Sequence, residues 1–400
     1  MFIGINLAIF LSLFGTFCNA KNNPEIDLNV PEIISFYGYP AESHLVTTDD
    51  GYILTLHRIP HGSKTLSIIR PVVFLQHGLL CSSADWVMNK PDGSLAFLLA
   101  DSGFDVWLGN SRGNKYSTMH KKLDINSDEY WKFSFDEMAS KDLPAFINYI
   151  TNVTEQQQIY YVGHSQGTMI AFAEFSRNKQ LASKIKRFYA LAPVAFVGSM
   201  TSPLKYLAPF VPEIEWLLKV IGVRDFLPQS WIISWLGSHM CSQTLIDDVC
   251  ANIVFVICGF DTPQMNKSRL DVYITHTPAG TSVQNIIHFE QLYMSKKFQM
   301  YDWGKKENLK KYNQSTPPIY NISNFHIPTV MYSGGNDWLA DSNDVSKLLH
   351  LLPEEIIISH KVIGSWMHLD FIWGMDAPEE VYNDLIADAL RQEALNKHFN

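Results

Sequence analysis

The pentapeptide Gly163-His164-Ser165-Gln166-Gly167 constrains this chain more than any other stretch, because it ends the apolar run Ile159 to His164 and leads into the helix-compatible run Thr168 to Phe175. A strand that turns straight into a helix makes a sharp, strained corner, and small residues flank the serine because no Cβ atoms fit beside it. The pattern predicts that Ser165 stands on that corner as a nucleophile. It also demands a sheet whose strands alternate with helices.

That alternation runs through most of the 400 residues. His44 to Thr48 and Tyr52 to Ile59 flank Asp49-Asp50-Gly51, the signature of a hairpin with a glycine-containing turn. Pro71 to Gln76, Phe104 to Asn110 and Ile159 to His164 are nearly continuous apolar runs, of the kind buried on both faces of a parallel sheet. Helical candidates lie between them at Ser94 to Asp101 and Met138 to Tyr149, and Arg187 to Pro193 adds a further strand. The rhythm then stops. From Phe196 to Ile322 the chain is rich in Trp, Phe, Pro and Leu, which predicts an inserted, mostly helical unit. Alternation resumes with a strand at Ile327 to Gly335, a helix near Asn343 to Leu351, a strand at Ile356 to Val362 and a closing helix from Glu379. The expected organisation is a leader over 1–20, an α/β core over 21–195 and 323–400 with a mostly parallel sheet, and an insertion over 196–322.

An uncharged hydroxyl is a weak nucleophile, so Ser165 needs a base, and the base needs an orienting acid, in the chain order serine, acid, histidine. Asp337 follows a late strand on the Gly334-Gly335 turn, where glycine freedom would let the backbone aim the carboxylate inward. Asp341 and Asp344 are rivals at positions typical of a helix cap or first turn. His368 lies in the loop after the last strand and can reach over the sheet; His360 is within that strand, and His350 is on the preceding helix. A developing oxyanion needs two N–H donors, one from the residue after the nucleophile and one from the loop after an earlier strand. These map to the amides of Gln166 and of Leu79 in the run Gln76 to Leu80, a loop that His77 and Gly78 would shape.

The first twenty residues read as a signal peptide, with an apolar run from Phe2 to Phe17 followed by Cys18-Asn19-Ala20. No other stretch approaches a membrane span. A net charge of −9 and the absence of any long basic run argue against nucleic acid as a partner. Sequons at Asn152, Asn266, Asn313 and Asn321 could carry glycans in a secretory lumen. In that lumen Cys241 and Cys250, which enclose eight residues, could form a short disulfide, whereas Cys81 and Cys258 read as buried thiols. No paired Cys/His spacing suggests a metal site.

At this level of detail the chain resembles the acid lipase group of α/β-hydrolases, the gastric and lysosomal lipases. The likeness is carried by "FLQHGLL", "DVWLGNSRGN", "FSFDEMA", "KDLPAFI", "YYVGHSQGT", "YALAPVA", "SRLDVY", "PAGTSVQN" and "HLDFIWGMDAP", and it covers nearly the whole mature chain. "FLPQS", "WLGSHMC" and "GGNDWLAD" lean toward the lysosomal side. The resemblance implies a triad of Ser165, Asp337 and His368, oxyanion amides at Leu79 and Gln166, and a cap disulfide between Cys241 and Cys250. It also implies an insertion that caps the site and hydrolysis of glycerol or cholesterol esters at acidic pH, without metal or cofactor. The substrate would be met at a lipid interface or in a lipoprotein-derived particle, in lysosomes or outside the cell. Three positions depart from the pattern: Lys115 where Thr is expected, Met367 where a polar residue is usual, and Cys81 where Ala is usual. An acyltransferase using the same intermediate and a silent lipid carrier are the competing readings.

The insertion also carries an apolar excess. In Trp231 to Gly237 the side chains of Trp231, Ile232, Ile233, Trp235 and Leu236 spread over more than the roughly 100° stripe that packing on a core uses. The expectation is a movable lid that covers Ser165 and meets lipid.

Overall fold

The computed structural model describes residues 23–62, 70–202, 205, 225–226, 258 and 262–399. The leader, Cys241, Cys250, Trp231 and Trp235 lie outside the described residues, and so do the disulfide and lid expectations that rest on them.

The expected alternation builds one twisted sheet. Its main strands are β1 (Glu42–Thr47), β2 (Tyr52–Ile59), β3 (Val72–Gln76), β4 (Asp105–Leu108), β5 (Ile159–His164), β6 (Ile185–Leu191), β7 (Thr329–Gly334) and β8 (Ile357–Ile363). Their spatial order is β1-β2-β4-β3-β5-β6-β7-β8. Strand β2 runs antiparallel to β1 and β4, and the pairs from β4 through to β8 are parallel. In β3, β4 and β5 every residue is buried, which is why these strands read as continuous apolar runs rather than alternating ones. At the edge, β8 is half-exposed and carries the exposed Ile358 and Val362.

The helices start where cap chemistry allows. Helix α1 (Val30–Phe36) opens with a capping box, in which Asn29 accepts from the Glu32 amide and Glu32 accepts from the Asn29 amide. Helices α2 (Leu95–Asp101) and α3 (Leu143–Thr154) follow. The expected helix over Met138 to Tyr149 is instead a π turn at Met138–Asp142 that leads into α3. Helix α4 (Gln166–Phe175) leaves the Ser165 corner with all ten residues buried. Beyond Phe196 the described part of the expected insertion holds α5 (Leu270–His276), α6 (Val283–Ser295) and α7 (Lys305–Tyr312). The second stretch of the core adds α8 (Ser342–Leu351) and α9 (Asn383–Phe399).

Two buried ion networks hold loops against this frame. Arg112, 1% exposed, reaches both Asp142 and Asp50. Arg269 grips Glu25 through two bonds of 2.5 and 2.6 Å, which fixes the first described turn to the start of α5. A lone buried charge is costly to desolvate, so each guanidinium is matched by carboxylates at short range.

Candidate active site

Ser165 occupies the corner between β5 and α4 with φ +54°, a backbone conformation that a residue with a side chain rarely adopts. It is held there by its amide donating to Leu191 O at 3.1 Å and by its carbonyl accepting from Thr168 N and Oγ. The flanking glycines are required by space. A Cβ on Gly167 would lie 2.3 Å from Gln76 O, and one on Gly163 would lie 2.8 Å from the Gly167 carbonyl carbon.

His368 Nε2 is 2.7 Å from Ser165 Oγ, and His368 Nδ1 is 2.8 Å from Asp337 Oδ2. All three are buried. The other carboxylate oxygen, Asp337 Oδ1, accepts from the amides of Leu339 and Ala340 at 2.9 and 2.7 Å, so the acid cannot swing away from the ring. With Nδ1–H donating to the carboxylate, Nε2 is free to accept the serine proton. The rivals have other roles. Asp341 caps α8 by accepting from Asn343 N at 2.8 Å, and Asp344 accepts from Ser199 N at 2.7 Å. His360 pairs with Ser333 Oγ, and His350 is exposed.

Gly334 and Gly335 matter for a different reason from the one read in the sequence. Neither takes a positive φ. A Cβ on Gly334 would lie 2.3 Å from Trp366 O, and one on Gly335 would lie 2.3 Å from Gly364 O. The pair lets the loop bearing Asp337 lie flush against the loop bearing His368.

The loop after β3 runs beside the nucleophile: a Cβ on Gly78 would meet Ser165 Cβ at 3.0 Å. Neither the Leu79 nor the Gln166 amide is engaged in a hydrogen bond among the described residues. The loop is held from behind by His77, whose Nε2 accepts from Ser111 N at 3.1 Å. That assignment leaves Nδ1 protonated and donating to Gly78 O at 2.8 Å, so the ring orients the peptide that carries the Leu79 N–H. Burial pushes the His77 pKa down to about 4, so the ring stays neutral. Asn110, Asn114, Ser83 and His57 continue this buried network toward β2.

His164 is a second residue whose part the sequence did not reveal. Its Nε2 donates to His368 O at 2.9 Å and so steadies the backbone of the loop that carries the base. Burial, with the neighbouring His368, holds the His164 pKa down to about 3. The departures from the resemblance surround the site without entering it. Lys115 Nζ lies 3.2 Å from His276 Nδ1, and burial lowers the Lys115 pKa to about 8. Met367 is buried in the core, and Cys81 and Cys258 are free, buried thiols, as the sequence suggested.

The four sequon asparagines lie at the surface: Asn152, Asn313 and Asn321 are exposed and Asn266 is half-exposed. Among the described residues no group of three or more His, Cys, Asp or Glu side chains could hold a metal ion, and no helix is long and apolar enough to cross a membrane.

Comparison with known proteins agrees with this fold. Residues 71–375 match the α/β hydrolase fold family, and residues 30–90 match the partial α/β-hydrolase lipase region. The chain is 52% identical over 367 residues to the lysosomal acid lipase/cholesteryl ester hydrolase of Homo sapiens, covering 91% of each chain. It is 48% identical over 396 residues to the gastric triacylglycerol lipase of Homo sapiens, covering 97% of this chain and 98% of the other. Among solved structures, a soluble variant of the monoglyceride lipase of Saccharomyces cerevisiae superposes with a TM-score of 0.54 at 17% identity, covering 90% of this chain and 96% of that one, a likeness of fold. The chain belongs to the α/β-hydrolase family of the lysosomal acid and gastric lipases.

Proposed function

We propose that this protein is a serine carboxylic ester hydrolase that cleaves neutral lipid esters, with Ser165 as nucleophile, His368 as general base and acid, and Asp337 as the group that orients the imidazole. The observation that carries this reading is the continuous line from Asp337 through His368 to Ser165 Oγ, with contacts of 2.8 and 2.7 Å. His368 takes the serine proton as Oγ attacks the ester carbonyl, then gives it to the leaving alcohol. The acyl-serine formed is opened by a water that the same ring deprotonates. Asp337 holds the tautomer and stabilises the imidazolium. The amides of Leu79 and Gln166 stabilise the charge that builds on the carbonyl oxygen.

The relatives are named as triacylglycerol lipases and cholesteryl ester hydrolases, which supports a triacylglycerol or sterol ester as the substrate of this chain. Work at acidic pH, in a lysosome or after secretion, fits the leader-like first twenty residues and the four surface sequons, which we take as glycan sites. The stretch 196–322 is taken as a cap with an apolar lid, braced by a Cys241–Cys250 disulfide.

The test is hydrolysis of cholesteryl oleate and trioleoylglycerol by purified protein between about pH 4 and 8, alongside Ser165→Ala. That variant should lose at least ~10³-fold in kcat. Retention of a tenth of the activity would exclude Ser165 as nucleophile.

A further inference from the structure

We infer that one short segment, Ala279 to Asn285, positions both oxyanion amides, with Asn285 acting through the Gln166 side chain and Ala279 acting through the Leu80 carbonyl. The inference rests on the assignment of Ser165, Leu79 and Gln166 made above.

Gln166 is the first residue of α4, and its own N–H is one of the two proposed donors. A first-turn residue is loosely held by its helix, because its amide has no intrahelical partner. Its side chain supplies the missing hold. Gln166 Oε1 accepts from Asn285 Nδ2 at 2.8 Å, and Gln166 Nε2 contacts Met138 Sδ at 3.3 Å. Asn285 is 0% exposed, so water does not compete for this bond. It is itself fixed: Nδ2 also donates to Thr281 Oγ at 3.1 Å, and the Asn285 amide donates to Ser282 Oγ at 3.0 Å in the cap of α6. Ser282 Oγ in turn donates to Phe133 O, which ties the segment to the core.

The other donor is approached from the same segment. Leu80 has φ +62°, a conformation a leucine does not keep unless its neighbours impose it. The Ala279 amide donates to Leu80 O at 2.6 Å, and Ala279 O accepts from Lys115 N at 2.9 Å. His77 holds the Gly78 end of the loop, and Ala279 holds the Leu80 end. The Leu79 amide lies between these two holds. Seven residues within the stretch 196–322 therefore touch both halves of the proposed oxyanion site. A displacement of this segment would therefore reach both proposed donors.

The experiment uses the full-length protein and a soluble ester, p-nitrophenyl butyrate, so that interface binding does not enter. Asn285→Ala should lower kcat about tenfold with KM nearly unchanged, because a misplaced donor weakens the transition state more than the ground state. In a Gln166→Met background, which keeps the backbone amide but removes Oε1, the same substitution should cost almost nothing further. Additive losses, or a change confined to KM, would overturn the inference. Asn285→Asp preserves the side chain's shape and tests the bond even where the alanine variant folds poorly. A protonated carboxyl donates to Gln166 Oε1, whereas an ionised one repels it, so activity relative to the parent should fall as pH rises from about 4 to 8. A flat ratio would count against the bond. Ser165→Ala separates the two ideas: residual activity there sinks the nucleophile assignment, while a dead Ser165→Ala beside a fully active Asn285→Ala sinks only the positioning role.

Discussion

Replacing Asp85 by Asn should change how the stability of this protein depends on pH. Asp85 lies on the 3-10 turn Ser83–Trp86, just after the Leu79 loop, and is 3% exposed. Neither carboxyl oxygen accepts from a nitrogen or oxygen donor among the described residues; Cys81 is its polar neighbour. Burial therefore raises its pKa from 3.8 to about 7. A carboxyl whose folded pKa is raised holds its proton more tightly in the folded state. Its stabilising contribution is complete below the unfolded pKa and is lost as pH rises through about 7. At roughly 1.4 kcal/mol per pKa unit, the loss amounts to about 2 kcal/mol by pH 5 and about 4 kcal/mol by pH 7.5. Asparagine does not titrate, so the variant should gain roughly 2 to 3 kcal/mol on the parent between about pH 5 and pH 7.5. Other shifted groups, such as the raised Asp136 and the depressed His288, occur in both proteins and cancel in the difference. Urea unfolding of both proteins at the two pH values measures it. A constant offset at both values would show that Asp85 is ionised throughout, and would refute the reasoning.

Asp337→Asn should reduce kcat by about 10⁴, because an amide in place of Oδ2 favours the wrong histidine tautomer; Asp341→Asn, which keeps a good helix cap, should leave hydrolysis near that of the parent. Arg269→Met should destabilise the fold by about 3 to 5 kcal/mol, measured by denaturant midpoint, since it strands the Glu25 carboxylate in the interior. Recovery of Cys241 and Cys250 joined in one peptide is expected from mass spectrometry of an unreduced digest; two free thiols would exclude the bridge. Replacing Trp231 and Trp235 by Ser should reduce hydrolysis of emulsified trioleoylglycerol while sparing a short soluble ester, and equal losses on both would reduce the tryptophans to a packing role.

Strand β5 was legible to the residue, since Ile159 to His164 is a fully buried run and Gly163 and Gly167 mark the corner. The meeting of Ser165, Asp337 and His368 was legible too, because chain order and position at strand ends leave few rivals. What was hidden depends on contacts between distant parts of the chain. His77 is one of 14 histidines until Ser111 N meets its Nε2. Asn285 lies 119 residues from Gln166 and carries no mark of its partner. The π turns at Met138–Asp142 and Pro378–Tyr382 shift the hydrogen-bond ladder by one residue, a change that apolar periodicity does not record.

Ser165 and His368 are 203 residues apart in the chain. At roughly 5 to 20 residues per second, a ribosome needs about 10 to 40 s to pass from one to the other. Through that interval the nascent chain carries a serine with no imidazole to accept its proton, and the corner that strains Ser165 borders β6 long before β7 and β8 arrive. If Ser165 and His368 act together as proposed, a translating chain of this protein is inert toward esters until His368 has been added. On the same proposal, a product that stops between Ile363 and His368 holds every strand of the described sheet and still lacks the base.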